Sequence, residues 1–413
     1  MSFRLRVILH NILGGLGLGA FLAVQGVFMG EHGAEVWQIG IIIGLFGAIV
    51  ALAEVPLGVL ADTRGRIAFF RLACILQALA GAILVLAPNL WGLLAGASVL
   101  ALSTAASSGT IDAWAVERVK AEGHEERLQQ YLGGFQAALA AGITAGAVLG
   151  GYLPALTEEL PRHAPTTWNA VFMAVVALAH LFLTPYLFHE GETLSEVTEE
   201  ERHPAARMRA AVGFAAKTFS VRDILILGAM FGVGLAMLEG YWQPRLVEID
   251  DSIAYFSFGW ITAGYFAMAI LGPLLIGAFA QVTGVSARAQ LLVLPILTAG
   301  ALWLLSLQSG FWGFVAAYLG LMLVATMAGP AESTVMNKAT PDRYRSSVHS
   351  LASLMMRGGA AVAVLALAPV VKTYGIDTGW QVAASILGAY AFLRLILVGR
   401  RPPSPPEAPE TGQ

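Results

Sequence analysis

The chain has 413 residues, of which 57% are hydrophobic and only 12% are charged. Soluble domains carry roughly 25% charged residues, so this composition excludes a water-soluble body and predicts an integral membrane protein. The net charge of −3, with no basic face, argues against a nucleic-acid partner. The single cysteine, Cys74, cannot form an intrachain disulfide.

Twelve apolar stretches are long enough to cross a bilayer, which predicts an all-α membrane fold. We number them spans 1 to 12 in chain order: 7–29, 37–61, 68–87, 90–116, 130–153, 167–188, 222–244, 254–281, 288–307, 310–332, 347–371 and 378–399. The longest polar segment separates six spans from six. The predicted organisation is an N-terminal six-helix bundle (1–188), a cytoplasmic linker (189–221), a C-terminal six-helix bundle (222–401) and a disordered tail (402–413).

Basic residues predict the orientation of these spans. Of the 24 lysines and arginines, 19 fall on the side that holds the N terminus, three on the opposite side, and two, Arg357 and Arg394, within spans. Cytoplasmic loops carry the excess of basic residues, so both termini are expected in the cytoplasm of a cell whose inner membrane holds the protein. The basic linker stretch 207–217 also predicts an amphipathic helix lying on the inner leaflet.

The turn between spans 2 and 3 carries the most specific motif of the chain. It reads Gly-Val-Leu-Ala-Asp-Thr-Arg-Gly-Arg at 58–66, and Gly65 permits a turn that a Cβ would strain. It resembles the signature loop between helices 2 and 3 of the major facilitator superfamily, roughly Gly-x-Leu-Ala-Asp-x-x-Gly-Arg. The resemblance implies two six-helix bundles around a midplane cavity that opens alternately to the two sides.

The same resemblance implies a charge-relay gate at the cytoplasmic side. Glu117 would pair with Arg64, Arg66 or Arg71, and Glu332 would pair with Arg343 or Arg345. The predicted gating residues are Asp62, Arg64, Arg66, Glu117 and Glu332.

The two halves of the chain echo each other at a fixed distance. Gly58, Ala61, Asp62 and Gly65 recur as Gly277, Ala280, Gln281 and Gly284, each 219 residues later. This internal repeat agrees with the six-plus-six layout.

Two acids are the predicted proton-coupling residues, Glu54 and Asp112. Glu54 lies about two turns inside the cytoplasmic end of span 2, where a carboxylate costs about 2.5–3.5 kcal/mol on insertion scales and is therefore expected to serve a function. The alternative is a structural acid that pairs with a nearby base or caps the kink at Pro56. Asp112 lies near the cytoplasmic end of span 4, and the alternative is a structural acid that pairs with Arg64, Arg66 or Arg71.

Three polar residues are the predicted substrate contacts, Arg357, Glu239 and Gln136. Arg357 lies ~15 Å into span 11, so it must face a cavity, an acid or an anionic ligand. Glu239 is expected near the outer end of span 7, where Tyr241 and Trp242 would mark the membrane interface. The alternatives are a structural arginine, an interfacial acid and, for Gln136 in span 5, a hydrogen bond between helices.

Span 5 contains glycines at 142, 146, 150 and 151 that resemble the superfamily's antiporter motif, Gly-x-x-x-Gly-Pro-x-x-Gly-Gly. Ala147 replaces the motif's proline, and close helix packing explains the spacing equally well. Drug/proton exporters of the superfamily often carry an arginine inside span 4, and 90–111 contains none.

The resemblance to drug and metabolite exporters leads to one preferred function. We expect a transporter that exports a small organic compound by proton antiport, works as a monomer in the lipid bilayer and needs no cofactor or metal. Enzyme motifs, such as a phosphate-binding loop, are missing from the sequence. Two alternatives stay open: an importer or uniporter of an anionic metabolite or lipid-like molecule bound by Arg357, and a non-transporting membrane receptor or scaffold.

Overall fold

The computed structural model describes residues 2–86, 89–157, 164–188 and 204–399, and every regular element within them is helical. Within these ranges, eleven helical stretches are long and apolar enough to cross a membrane. The last of these holds two spans, because Gly375 (φ 87°) interrupts it. The twelve-span fold in two six-helix bundles is thus confirmed. The predicted disordered tail and the linker residues 189–203 lie outside the described residues.

The N-terminal bundle contains spans 1 to 6. Spans 1 and 4 are each built from two helices. Span 1 consists of α1 (Phe3–Leu22) and α2 (Gln25–Glu31), and span 4 consists of α5 (Leu90–Ser107) and α6 (Thr110–Ala121). The other four spans are single helices: α3 (Val36–Arg64), α4 (Arg66–Leu86), α7 (Leu128–Thr157) and α8 (Thr167–Leu187).

The C-terminal bundle contains spans 7 to 12, preceded by a linker helix, α9 (Pro204–Lys217). Spans 7 to 9 are the single helices α10 (Phe219–Ile249), α11 (Tyr255–Thr283) and α12 (Ala287–Ser306). Span 10 consists of α13 (Phe311–Thr326) and α14 (Ala328–Ala339), and α15 (Asp342–Gly399) supplies spans 11 and 12. The predicted amphipathic helix forms as α9. Its buried residues Ala211 and Ala215 pack against Val348 and Leu351 of the C-terminal bundle, so this side of the helix contacts protein.

The repeat is visible in the helix bounds and caps. Both ends of α11 lie 219 residues beyond those of α3. Gly65 and Gly284 end these two helices with positive φ angles of 106° and 71°, and each donates its N–H to the carbonyl four residues earlier. The breaks also correspond, since Ser108 in span 4 and Met327 in span 10 differ by 219. The shared shift indicates that the halves are built on one plan.

The glycines of span 5 serve close packing. A methyl group on Gly146 would collide with the carbonyl oxygen of Leu16, and one on Gly142 with that of Ile12. Helices α1 and α7 therefore touch along their backbones, as small residues at fourth positions allow. The packing explanation of this motif is sufficient within the N-terminal bundle.

We call the end of the molecule where α1 begins the N-terminal face and the other end the opposite face. The bundles are joined tightly at the opposite face. The side-chain amide of Gln243 donates to the carbonyls of Leu22 (3.0 Å) and Ala23 (2.8 Å) and accepts from the N–H of Gly26. One side chain of the C-terminal bundle thus satisfies the backbone at the break between α1 and α2.

Further contacts between the bundles reinforce this closure. The hydroxyl of Tyr255 donates to Glu31 (2.7 Å), and Lys372 lies 4.3 Å from the ring centroid of Trp37. Helices α7 and α11 also cross in backbone contact, where Gly151 meets Gly259. The opposite face is therefore closed in this structure.

Candidate transport site between the bundles

Two residues that the sequence analysis treated separately meet between the bundles. Glu54 of α3 and Arg357 of α15 form an ion pair with 3.8 Å between Oε2 and Nε. The hydroxyl of Ser108, at the break of span 4, donates to the other carboxylate oxygen of Glu54 (2.5 Å). The side chains of Glu54 and Arg357 are 30% and 35% exposed, so both charges remain in contact with solvent. The pair therefore links the two bundles without being sealed inside them.

A cavity of about 510 Å³ adjoins this pair towards the N-terminal face. The N-terminal bundle contributes Glu54 and Ser108 to its wall, and α15 of the C-terminal bundle contributes His349 and three serines at 347, 350 and 353. Ser353 also accepts a 3.4 Å hydrogen bond from Nε of Arg357. The cavity is of the size that binds small molecules, and its wall offers hydroxyls and one carboxylate.

The predicted gating loop forms a charge network within the N-terminal bundle. Arg66 binds Asp62 through Nε (2.9 Å) and Glu117 through Nη1 (2.6 Å). The turn between α3 and α4 is thereby tied to the end of span 4. Arg64 is exposed and makes no ion pair with any residue that the structure describes.

The remaining predicted residues lie away from the Glu54 cavity. Asp112 is exposed in the first turn of α6, and Gln136 is exposed on α7. Glu239 accepts a 2.9 Å hydrogen bond from the hydroxyl of Tyr265. The structure brings Glu54 and Arg357 together but places these three residues elsewhere.

Glu239 lies deeper within its helix than the predicted end of span 7 implies. Helix α10 runs on to Ile249, beyond the predicted end at 244, so Glu239 lies ten residues inside it. Tyr241 and Trp242 are 0% and 6% exposed and belong to the core of the C-terminal bundle. Aromatic residues near a span end were interpreted as an interfacial belt because the sequence does not show how far the helix continues.

The sequence model of the Major Facilitator Superfamily matches residues 7–251, which is more than half of the chain. The chain belongs to this superfamily. No curated protein sequence matches it. Among solved structures, the nucleoside transporter NupG superposes with a TM-score of 0.80 at 13% identity, covering 97% of this chain and 100% of that one.

A bacterial homologue of the human lysosomal transporter Spinster, in an inward-facing and occupied conformation, superposes with a TM-score of 0.73 at 14% identity. It covers 97% of this chain and 98% of its own. At such identities the likeness shows the fold, and membership of the superfamily supports transport across a membrane. Neither comparison carries a substrate, a direction or a driving ion to this chain.

The second half of this superfamily member departs from the predicted gate. Glu332 makes no ion pair or hydrogen bond within the described part of the chain, so the pairing with Arg343 or Arg345 that was expected for a closed gate is absent from this structure. It lines a separate cavity inside the C-terminal bundle. The basic partner at this end is instead Arg394, which binds Asp223 through two hydrogen bonds of 2.8 and 2.7 Å.

Several polar residues at these sites gave no sequence signal. Ser108 and Gln243 are ordinary polar residues in sequence, and their roles depend on helix breaks that a hydropathy pattern does not reveal. Asp223 lies at the start of span 7 and 171 residues before Arg394, so the pair becomes visible only in the fold.

Proposed function

We propose that the protein is a secondary transporter that exports a small organic compound in exchange for protons, by alternating access. The observation that carries the proposal is the ion pair between Glu54 and Arg357, which spans the two bundles beside a solvent-reached cavity. Rocking of one bundle against the other must change this contact. A charge pair placed there makes the relative stability of the two states depend on protonation.

The coupling follows from the charge on Glu54. The ionised carboxylate attracts Arg357 across the interface and accepts the hydrogen bond from Ser108. A proton on Glu54 removes the attraction and leaves Arg357 free for water or substrate. Because proton and substrate then change the same contact, each alters the free energy of binding of the other.

Orientation is part of the same proposal. The excess of basic residues on that side supports an N-terminal face that lies in the cytoplasm, in a cell whose inner membrane holds the protein. With the opposite face closed, the cavity beside Glu54 would load a compound from the cytoplasm. The network of Asp62, Arg66 and Glu117 would hold the cytoplasmic loop during this step.

A second candidate, uptake or facilitated passage of an anionic compound, is favoured by the geometry of Arg357. Its Nε stands 3.8 Å from Glu54, beyond hydrogen-bond distance, so the guanidinium keeps the capacity to bind an anion. In this case Arg357→Gln would abolish substrate binding, whereas Glu54→Gln would preserve it.

Sealed inverted vesicles with an imposed pH gradient test the proposal. Lipophilic cations and organic anions are added in turn, and dissipation of the gradient is recorded for the wild type and for Glu54→Gln. We expect compound-triggered proton release that vanishes in the variant. Asp251→Asn, an exposed acid at the opposite face, is the matched control. Equal proton release from the wild type and Glu54→Gln would refute the role of Glu54.

A further inference from the structure

A second cavity, of about 340 Å³, lies inside the C-terminal bundle. Helices α10 to α14 and both halves of α15 surround it, so it is distinct from the cavity beside Glu54. Most of its wall is apolar. Thr298 and Thr326 direct their hydroxyls to backbone carbonyls of their own or a neighbouring helix, so these groups are already satisfied. A volume of this order is sufficient for a small ligand.

The charged group on this wall is the carboxylate of Glu332, which makes no ion pair or hydrogen bond with the described residues. The nearby cation, Arg394, is committed to Asp223 and to the carbonyl oxygen of Leu291. The positive charge of Arg394 is therefore already neutralised by Asp223 and does not neutralise the carboxylate of Glu332 as well. An uncompensated carboxylate against an apolar wall is costly and favours a cationic ligand.

Aromatic groups add to this preference. The rings of Phe231 and Tyr265 line the cavity, and aromatic faces attract organic cations. The hydroxyl of Tyr265 is donated to Glu239, so a second carboxylate lies next to this wall. The cavity thus combines negative charge, aromatic rings and an apolar surface.

We propose that this cavity binds a lipophilic organic cation, with Glu332 as its counter-ion. This site is separate from the Glu54 cavity, and binding of the cation to it requires no proton coupling. A role of the bound cation as exported cargo would rest on the proposed function, whereas the binding itself would not.

Binding is measured directly on the purified protein in lipid nanodiscs, with benzyltrimethylammonium as the cation and benzenesulfonate as an anion of similar size. We expect saturable binding of the cation and none of the anion. Glu332→Gln should weaken cation binding by at least about tenfold, because the variant keeps the shape and loses the charge. Asp251→Asn, at an exposed acid of the opposite face, should bind like the wild type. Binding is measured without a pH gradient, so its outcome is independent of the proposed proton coupling.

A steric variant tests the location without changing any charge. A Cβ added at Gly228, which lines the cavity, meets nothing within 4 Å, so Gly228→Leu should extend its side chain into the cavity and weaken binding. Gly300→Leu is the matched control, since Gly300 also has open space around it but lies on the exposed side of α12. Size-exclusion profiles confirm that each variant is folded. Cation binding that is absent from the wild type, or unchanged in both Glu332→Gln and Gly228→Leu, would overturn the proposal.

Discussion

Spans 4 and 10 break at the same position of the repeat, yet different chemistry surrounds the two breaks. In the first half, Ser108 at the break donates a hydrogen bond to Glu54 of span 2. In the second half, Met327 and Pro273 occupy the corresponding positions, 219 residues later, and neither side chain carries a charge. The acid of the second half, Glu332, lies beyond the break on span 10 itself. One architecture thus supplies, in the first half, the acid of an ion pair between the bundles and, in the second half, a largely apolar cavity.

The ion pairs of the two regions differ in the same way. Glu54 and Arg357 are about one-third exposed, belong to different bundles and stand 3.8 Å apart. Asp223 and Arg394 are 10% and 6% exposed, belong to the same bundle and make two short hydrogen bonds. The buried pair is suited to holding one bundle rigid. The exposed pair is suited to changing when the bundles move.

The largest effect on stability is expected at the buried pair. Asp223→Asn leaves the guanidinium of Arg394 buried without its counter-charge, which should destabilise the protein by about 3–5 kcal/mol. Glu54→Gln should change stability by about 1 kcal/mol or less, because both partners of that pair reach solvent. Thermal unfolding in one detergent compares the two variants. Equal losses of stability would contradict the distinction between the pairs.

An intermediate effect is expected at the closed opposite face. Gln243→Leu removes three hydrogen bonds to the break between α1 and α2, which should shift the equilibrium towards opening of this face by about 2 kcal/mol. Spin labels on Gly30→Cys and Asp251→Cys, in a Cys74→Ser background, report the distance between the bundles there. Both positions are exposed, and Gly30 has room for a side chain. An unchanged distance distribution would show that Gln243 does not hold the face closed.

The smallest effect is expected from Ser108→Ala. Its hydroxyl donates one hydrogen bond to the Glu54 carboxylate, and a bond of this kind contributes about 0.5–1.5 kcal/mol. Its removal should therefore slow proton-driven transport by about two- to tenfold, measured in sealed vesicles. Thr104→Ala, whose hydroxyl bonds to a carbonyl of its own helix, is the control. A rate that stays at the wild-type level, or that falls equally in both variants, would separate Ser108 from the coupling step.

The fold was largely predictable because the lengths of the apolar spans, the distribution of basic residues and the loop at 58–66 are all local properties of the sequence. Gly65 shows this clearly, since its expected turn has a φ of 106°. The residues of the candidate site could be predicted one by one, but the contact between them could not. Glu54 and Arg357 stood out because charges are rare inside membrane spans. That they face each other depends on the rotation of apolar helices, which a sequence without amphipathic pattern does not encode.

Other features depended on helix breaks and helix lengths. The role of Gln243 requires the interruption between α1 and α2, and the depth of Glu239 requires an α10 that runs to Ile249. Glu332 was assigned to the cytoplasmic gate because basic residues follow it closely in sequence. In the fold, the corresponding pairing is made by Asp223 and Arg394, which are distant along the chain.

Substrate exchange in proteoliposomes tests the central claim most directly, with a compound that releases protons in the wild type. Exchange of labelled for unlabelled substrate needs no net proton movement, whereas uptake against a gradient does. The account predicts that Glu54→Gln retains exchange and loses accumulation driven by a pH gradient. Accumulation by Glu54→Gln at the wild-type level would contradict it, because the proton would then be carried by another group.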